Sequence, residues 1–223
     1  VRRSKPSRLG RATLAIATIL LIVAVALASL FNPMWIGAAQ ARADVSAITG
    51  WSETEVQRIT GAILADVIVG PPAFDVMSAG TPVLDPAERV HMADVFTVLR
   101  GFALVVLVTG SAGGLLLRRH RSEPAAWTAV SRGAGGLAIT GVILALVVTL
   151  FFDAAFLAFH LIVFPQGNFS FDSATERLTQ LFPGQFWTES ATAIVVVGTG
   201  IASVVWWFAR LRARRLVVEA STS

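Results

Sequence analysis

Apolar residues in this chain gather in four long blocks and do not alternate with polar ones. The blocks cover about residues 12–31, 95–117, 135–156 and 191–209. Each is close to the roughly 20 residues that an α-helix needs to cross a hydrocarbon core of about 30 Å. The first carries no charge, and the second is interrupted only by Arg100. The pattern predicts an all-α, polytopic membrane protein. It has a single integral membrane domain over residues 1–223, four transmembrane helices, and two folded extracytoplasmic loops at about 32–94 and 157–190.

The polar stretches carry signals for further helices. Ser52-Glu53-Thr54-Glu55 has capping-box spacing, and Val56, Ile59, Ile63 and Val67 follow at helical intervals. This predicts an amphipathic helix on the outer membrane surface or over the bundle, ended by Gly70-Pro71-Pro72, which serves as a cover or as a lid for a lipid-facing cavity. Asp85-Pro86-Ala87-Glu88 predicts a helix that starts at Pro86 and runs straight into the second span, with His91 and Asp94 one turn apart near its outer end. Ser173-Ala174-Thr175-Glu176 repeats the capping box and predicts a short helix ended by Pro183-Gly184. Gly110 and Gly114 form a G-x-x-x-G, and Gly133, Gly135, Gly136 and Gly141 lie in or beside the third span. Small residues let membrane helices approach closely. The bundle is therefore expected to be tight on the inner side and to open outward as a wedge.

Charge sets the orientation. Arg2, Arg3, Lys5, Arg8 and Arg11 precede the first span without an acid, whereas residues 32–94 hold three Arg and eight acids. Residues 118–132 hold four Arg and one acid, residues 153–189 one Arg and four acids, and the tail four Arg and one acid. The positive-inside rule then places both termini and the middle turn, with His120, in the cytoplasm. Trp35, Trp51 and Trp187 fall at the outer interface and Trp127, Trp206 and Trp207 at the inner one, as an aromatic belt requires. Ala41-Arg42-Ala43 offers a signal-cleavage alternative for the first span, but it lies well beyond an apolar run longer than a usual signal core, so a retained anchor is expected. A composition that is 55% hydrophobic and 14% charged excludes a soluble globular or disordered chain. The pI of 11.1 reflects orientation, and no nucleic-acid partner is expected. With no cysteine there is no thiol nucleophile and no disulfide.

Candidate chemistry lies at the outer ends of the second and third spans. His91, Asp94 and Arg100 mark one helix, Asp153 and His160 the other. Ionisable groups at membrane depth are costly and usually face an interior site. The contrasting reading is a set of headgroup-wetted residues with Arg100 snorkelling. A functional cluster has three chemistries open to it: a metal held by His91, His160, Asp94 and Asp153, a bis-histidine haem, or general base catalysis. There is no H-x-x-x-H or H-E-x-x-H spacing and nothing else that calls for haem, so neither metal nor cofactor is expected. There is also no G-x-S-x-G elbow, so the nucleophile is expected to come from the substrate.

His91-Met92-Ala93-Asp94-Val95 resembles the H-x-x-D-V motif of the bacterial lipoprotein intramolecular transacylase (Lit) family. A second block looks similar too: Phe159-His160, Phe164, Asn168-Phe169-Ser170-Phe171-Asp172 and Leu181-Phe182-Pro183-Gly184-Gln185-Phe186-Trp187. The resemblance implies an acyltransferase of the bacterial cytoplasmic membrane, multi-pass, with its active site at the outer leaflet. Its substrate is a diacylated lipoprotein among membrane lipids, and the sn-2 acyl chain of the diacylglyceryl-cysteine moves to the α-amine to give a lyso-form. It implies His91 and His160 as the catalytic pair. Asp94, Asp153 and Arg100 are expected to support them, and Phe164, Phe169 and Trp187 to line the substrate site. The non-enzymatic alternative is a membrane protein that binds a lipid or a partner through its outer loops.

Overall fold

A computed structural model describes residues 5–221, so the N-terminal Arg2 and Arg3 of the charge count lie outside the described residues. Four helices are long and apolar enough to span a membrane: α1 (Arg8–Leu30), α5 (Pro86–Arg119), α6 (Pro124–Val163) and α8 (Gly184–Ser221). Their most apolar windows are at most 22% buried within the chain, so a bilayer has to cover them. Between α1 and α5 lie α2 (Pro33–Arg42), α3 (Val45–Thr49), α4 (Glu53–Ile68) and a hairpin of β1 (Met77–Ser78) and β2 (Thr81–Pro82); α7 (Arg177–Leu181) lies between α6 and α8. Helix α6 contains one non-helical residue, Phe151, at φ −139° and ψ 40°.

The chain forms two compact units. The first comprises the residues up to Ala28, Phe102–Leu146 and the chain from Ala193 on. Here helices touch through small residues. A Cβ on Gly133 would lie 2.5 Å from the Ala15 carbonyl oxygen, and one on Gly113 would lie 2.6 Å from Ala17 Cβ. Gly141 is likewise filled by Thr199, and Gly135 by the Trp206 ring at 2.7 Å. The G-x-x-x-G does not act as one unit: Gly110 faces Leu21, Gly114 faces open space, and the close approach is made by Gly113. His120, in the Arg-rich turn, is buried at the end of α5. Its backbone closes the turn there, with its amide donating to Leu116 and its carbonyl accepting from Glu123.

These contacts carry a prediction. Gly133→Ala sets a methyl against backbone that cannot swing aside, whereas Gly136→Ala meets nothing within 4 Å. Overpacking costs about 1–3 kcal/mol, while Ala in an open helix position gains up to about 1 kcal/mol over Gly. Thermal melting in detergent should therefore show Gly133→Ala lowered and Gly136→Ala unchanged or raised.

The second unit comprises Ser29–Gly101 and Val147–Thr192. Its core joins Val56, Ile59, Ile63 and Val67 of α4 with Phe74, Leu84, Met92, Leu178 and Leu181. The apolar face of α4 is thus buried in protein and not laid against lipid, the first of the two placements expected for it. Ser52 caps α4 as its spacing predicts, accepting from the Glu55 amide at 3.2 Å. The Glu55 carboxylate does not close the box. It takes Arg58 and Ser78 instead, and these two hold its pKa down at about 2.

Helix α2 was not foreseen, although Asn32-Pro33 is a start signal: Asn32 accepts from the Met34 amide and Pro33 occupies the first turn. From α2 the buried Gln40 amide donates to Thr60 of α4 and to the Leu181 carbonyl, each at 3.0 Å, tying three elements together. Asp85 and Glu88 form the full reciprocal box at the start of α5, with bonds of 2.7 and 2.8 Å. The box at Ser173 does not form. Glu176 turns back to the Asp172 amide, so the helix begins at Arg177. Nor does Pro183-Gly184 only end that helix, because α8 starts there, well before the apolar block.

Candidate active site

The second unit contains every candidate residue of the sequence analysis. His91 stands on the second turn of α5, where the Asp85–Glu88 box fixes the helix start. His160 stands near the end of α6, three residues before its last residue. The two rings stack with centroids 6.2 Å apart and planes 25° from parallel. They make no hydrogen bond to each other, so neither occupies the other's nitrogens. His91 is 6% exposed and His160 is half-buried.

Aromatic rings enclose the pair. Phe164 is 3% exposed and touches both imidazoles, at 4.9 Å from His91 and 5.7 Å from His160. Phe171 meets His91 at 5.4 Å, and Phe169 meets His160 at 5.2 Å. Phe156, one turn before His160 on α6, lies closest of all at 4.1 Å. Trp187 does not touch either imidazole. It is 41% exposed and joins the cluster through Phe156 at 6.0 Å. Phe156 and Phe171 were not singled out from the sequence, although the i−4 spacing of Phe156 from His160 puts the two side by side on a helix.

Hydrogen bonds treat the two imidazoles differently. His160 Nδ1 lies 2.8 Å from the Phe156 carbonyl oxygen. A carbonyl only accepts, so Nδ1 carries the proton and, in the neutral ring, Nε2 presents a lone pair. His91 Nδ1 is buried without a partner at bonding geometry, and so is Oδ1 of Asn168, whose side chain and backbone both face the His91 ring. Asn168 is held from its other end: Nδ2 donates to Asp94 Oδ2 at 2.6 Å, and Gln166 Nε2 donates to the same oxygen at 2.9 Å. With its amide nitrogen thus committed to a carboxylate, Asn168 turns its oxygen toward His91. Asp94 therefore bonds to neither imidazole. It fastens the 164–171 segment to α5, and its relation to His91 runs through Asn168.

Two of the expected supporting residues are not brought in. Asp153 is exposed and makes no hydrogen bond to either imidazole. Seven residues on one helix face are two turns, about 10.5 Å of rise, which is beyond hydrogen-bond reach. Arg100 is exposed and stacks over Phe96 one turn before it, at 5.1 Å. That contact is within its own helix. Among the described residues, no group of three or more His, Asp or Glu converges in a way that would hold a metal ion.

The sequence profile of the family described as lipoprotein intramolecular transacylase Lit matches residues 12–187. The structure of the membrane-integral Lit from Bacillus cereus superposes with a TM-score of 0.77 at 18% identity, over 97% of this chain and 98% of that one. Two variants of the same enzyme match as well. The histidine-to-arginine variant has a TM-score of 0.70 at 18% identity over 96% and 93% of the two chains. The histidine-to-alanine variant has a TM-score of 0.71 at 19% identity over 97% and 96%. A search of curated proteins finds no significant match. The profile spans well over half of the sequence: the chain belongs to the Lit family and is an integral membrane acyltransferase of intramolecular acyl transfer on lipoproteins.

Proposed function

We propose that the chain moves the sn-2 acyl chain of a diacylglyceryl-cysteine onto the α-amine of that cysteine, with His91 and His160 as the catalytic pair. The observation that supports this most is the pairing of two imidazoles from different helices inside an aromatic shell, one of them held in a single tautomer. His160 Nε2 is the base. The neutral amine attacks the sn-2 carbonyl carbon, Nε2 takes the amine proton, and an N–C bond forms. The ester C–O bond then breaks, and the proton held by His160 Nε2 passes to the glycerol oxygen while the His91 N–H steadies the oxyanion. The product is an amide and a free secondary hydroxyl, with no water consumed. Positioned proton transfer of this kind contributes about 10²–10⁴-fold, and the tethered amine supplies much of the orientation advantage.

The aromatic shell disfavours competition by water. Phe156, Phe164, Phe169 and Phe171 give acyl chains an apolar lining and leave few polar groups to hold a hydrolytic water. Charge alternation supports a site at the outer leaflet of a bacterial cytoplasmic membrane, with both termini cytoplasmic. There a lipoprotein still embedded by its acyl chains can enter sideways.

The test is expression in cells that make diacyl lipoproteins, followed by mass spectrometry of the N-terminal lipopeptide. Acyl transfer conserves mass, so fragmentation has to locate the chains. One chain on nitrogen and one on glycerol is expected. Both chains left on glycerol by inserted, folded protein would replace this reading with the lipid-binding one.

A further inference from the structure

Away from the imidazole pair, and wholly within the first unit, the start of α6 and the last third of α8 enclose a groove of about 630 Å³. Three arginines line it, Arg132, Arg210 and Arg214, together with Trp206 and Val217. No acidic residue lines it. Neither the Arg42–Glu189 nor the Arg58–Glu55 ion pair draws on any of the three arginines. Their arrangement follows from helix periodicity. Arg210 and Arg214 are four residues apart and share a face of α8, and Arg132 comes from α6. Arg210 lies over the Trp206 indole at 5.3 Å, and the Ser131 hydroxyl sits 3.5 Å from the Trp206 carbonyl across the groove floor.

Like charges gathered in one concavity repel one another and favour an anion that neutralises them together. Depth within the bilayer narrows the choice of anion. Arg210 directly follows the apolar block at 191–209, and Arg132 stands three residues before the start of the one at 135–156, so both stand where a span meets the headgroups. Trp206, one turn inside, has the amphipathic ring common at that level. The guanidinium fork matches a phosphodiester bidentately. Basic pockets between membrane helices are a recognised way of holding anionic headgroups, and the volume suits a headgroup with its glycerol.

We infer that this groove binds the phosphodiester headgroup of an anionic glycerophospholipid, with Trp206 and Val217 against its glycerol and upper acyl carbons. Such a lipid is a structural ligand, separate from the substrate of the imidazole site.

Native mass spectrometry of the full-length protein in detergent tests this, with phosphatidylglycerol and phosphatidylcholine as probes and inorganic phosphate as competitor. An arginine near a membrane surface is worth about fivefold in anionic-lipid affinity, so Arg132→Gln, Arg210→Gln and Arg214→Gln together should weaken phosphatidylglycerol binding about a hundredfold. Arg118→Gln, Arg119→Gln and Arg121→Gln remove the same charge outside the groove and should leave binding within a few-fold of wild type. If the triple groove variant loses its helical circular dichroism, Arg210→Gln and Arg214→Gln are read singly, each expected at about fivefold. Equal loss in the two triple variants, equal binding of phosphatidylcholine, or displacement by millimolar phosphate would each overturn the proposal.

Discussion

Replacing His160 by alanine is expected to slow acyl transfer by about 10²–10⁴-fold, the usual contribution of a positioned general base. His91→Ala should lose about 10²–10³-fold, because the oxyanion formed at the sn-2 carbonyl then lacks its donor. The two losses share one pH dependence. The amine attacks in its neutral form in either variant, so both residual rates should climb as pH rises through the ordinary α-amine range of about 7.7–8.0. The ratio of N-acylated to unmodified lipopeptide, measured against the amount of inserted protein, gives both results. Wild-type rates in His160→Ala would remove it as the base and move that role to His91.

Asp94→Asn should cost less than either, because Asp94 touches side chains of the 164–171 segment and not a reacting atom in this scheme. An asparagine there still accepts one bond but offers no charge to hold both Gln166 and Asn168. The loss should appear as a looser segment, with Phe164, Phe169 and Phe171 less well placed around the imidazoles. Exchange of the segment's amides with deuterium should then quicken together with the fall in rate.

How much of this was legible in the sequence depends on the range of the interaction. The four spans follow from block length alone, and the Ser52 and Asp85 starts from three-residue spacings, so they could be read locally. The failure at Ser173 has a local cause of another kind. Asp172, one residue earlier, offers its amide to Glu176 and its carboxylate to Ala174, a turn that competes with the cap. The pairing of His91 with His160 was legible as two ionisable groups at one membrane level, but the wall around it was not. Asn168 matters because its oxygen faces His91 while its nitrogen is held by Asp94, 74 positions away in sequence, and no spacing rule encodes that contact. Asp153 shows the converse: sharing a helix face with His160 is legible, but two turns of separation leave it out of reach. The face of α4 was legible, and its partner was not. Periodicity shows that a stripe is apolar without telling whether lipid or Leu178 and Leu181 will cover it.

Glu88 is where the two segments between the spans are joined, and its loss should have the largest effect on stability. The sequence marks it as one half of a capping box, and the structure buries it, at 1% exposed. One carboxylate oxygen accepts from the Asp85 amide at 2.7 Å, and the other accepts from the Leu178 amide at 2.6 Å, 90 positions away. Hydrogen bonds to a charged group contribute about 1.5–3 kcal/mol each, and a buried donor left without a partner adds its desolvation cost. Glu88→Ala should therefore lower stability by about 3–5 kcal/mol. Glu88→Gln keeps the shape and one oxygen but turns an NH₂ toward an N–H, so it should lose about 1–3 kcal/mol, the cost of leaving one buried amide unsatisfied. Thermal melting of the full-length protein in detergent ranks the three forms. A melt of Glu88→Ala equal to wild type would show that the Leu178 bond holds nothing. The effect should also reach the site. Helix α7 follows directly on the segment that carries Phe169 and Phe171, and Leu178 and Leu181 fix α7 in the core beside α4. Freed from Glu88, that segment relies more on the Asp94 bonds to Gln166 and Asn168 and on the bonds of α7 from Gln40 to Leu181 and from Arg177 to Thr49. Glu88→Ala should thus lose acyl transfer below its own melting range, and Asp94→Asn added to it should remove more activity than the two single losses combined.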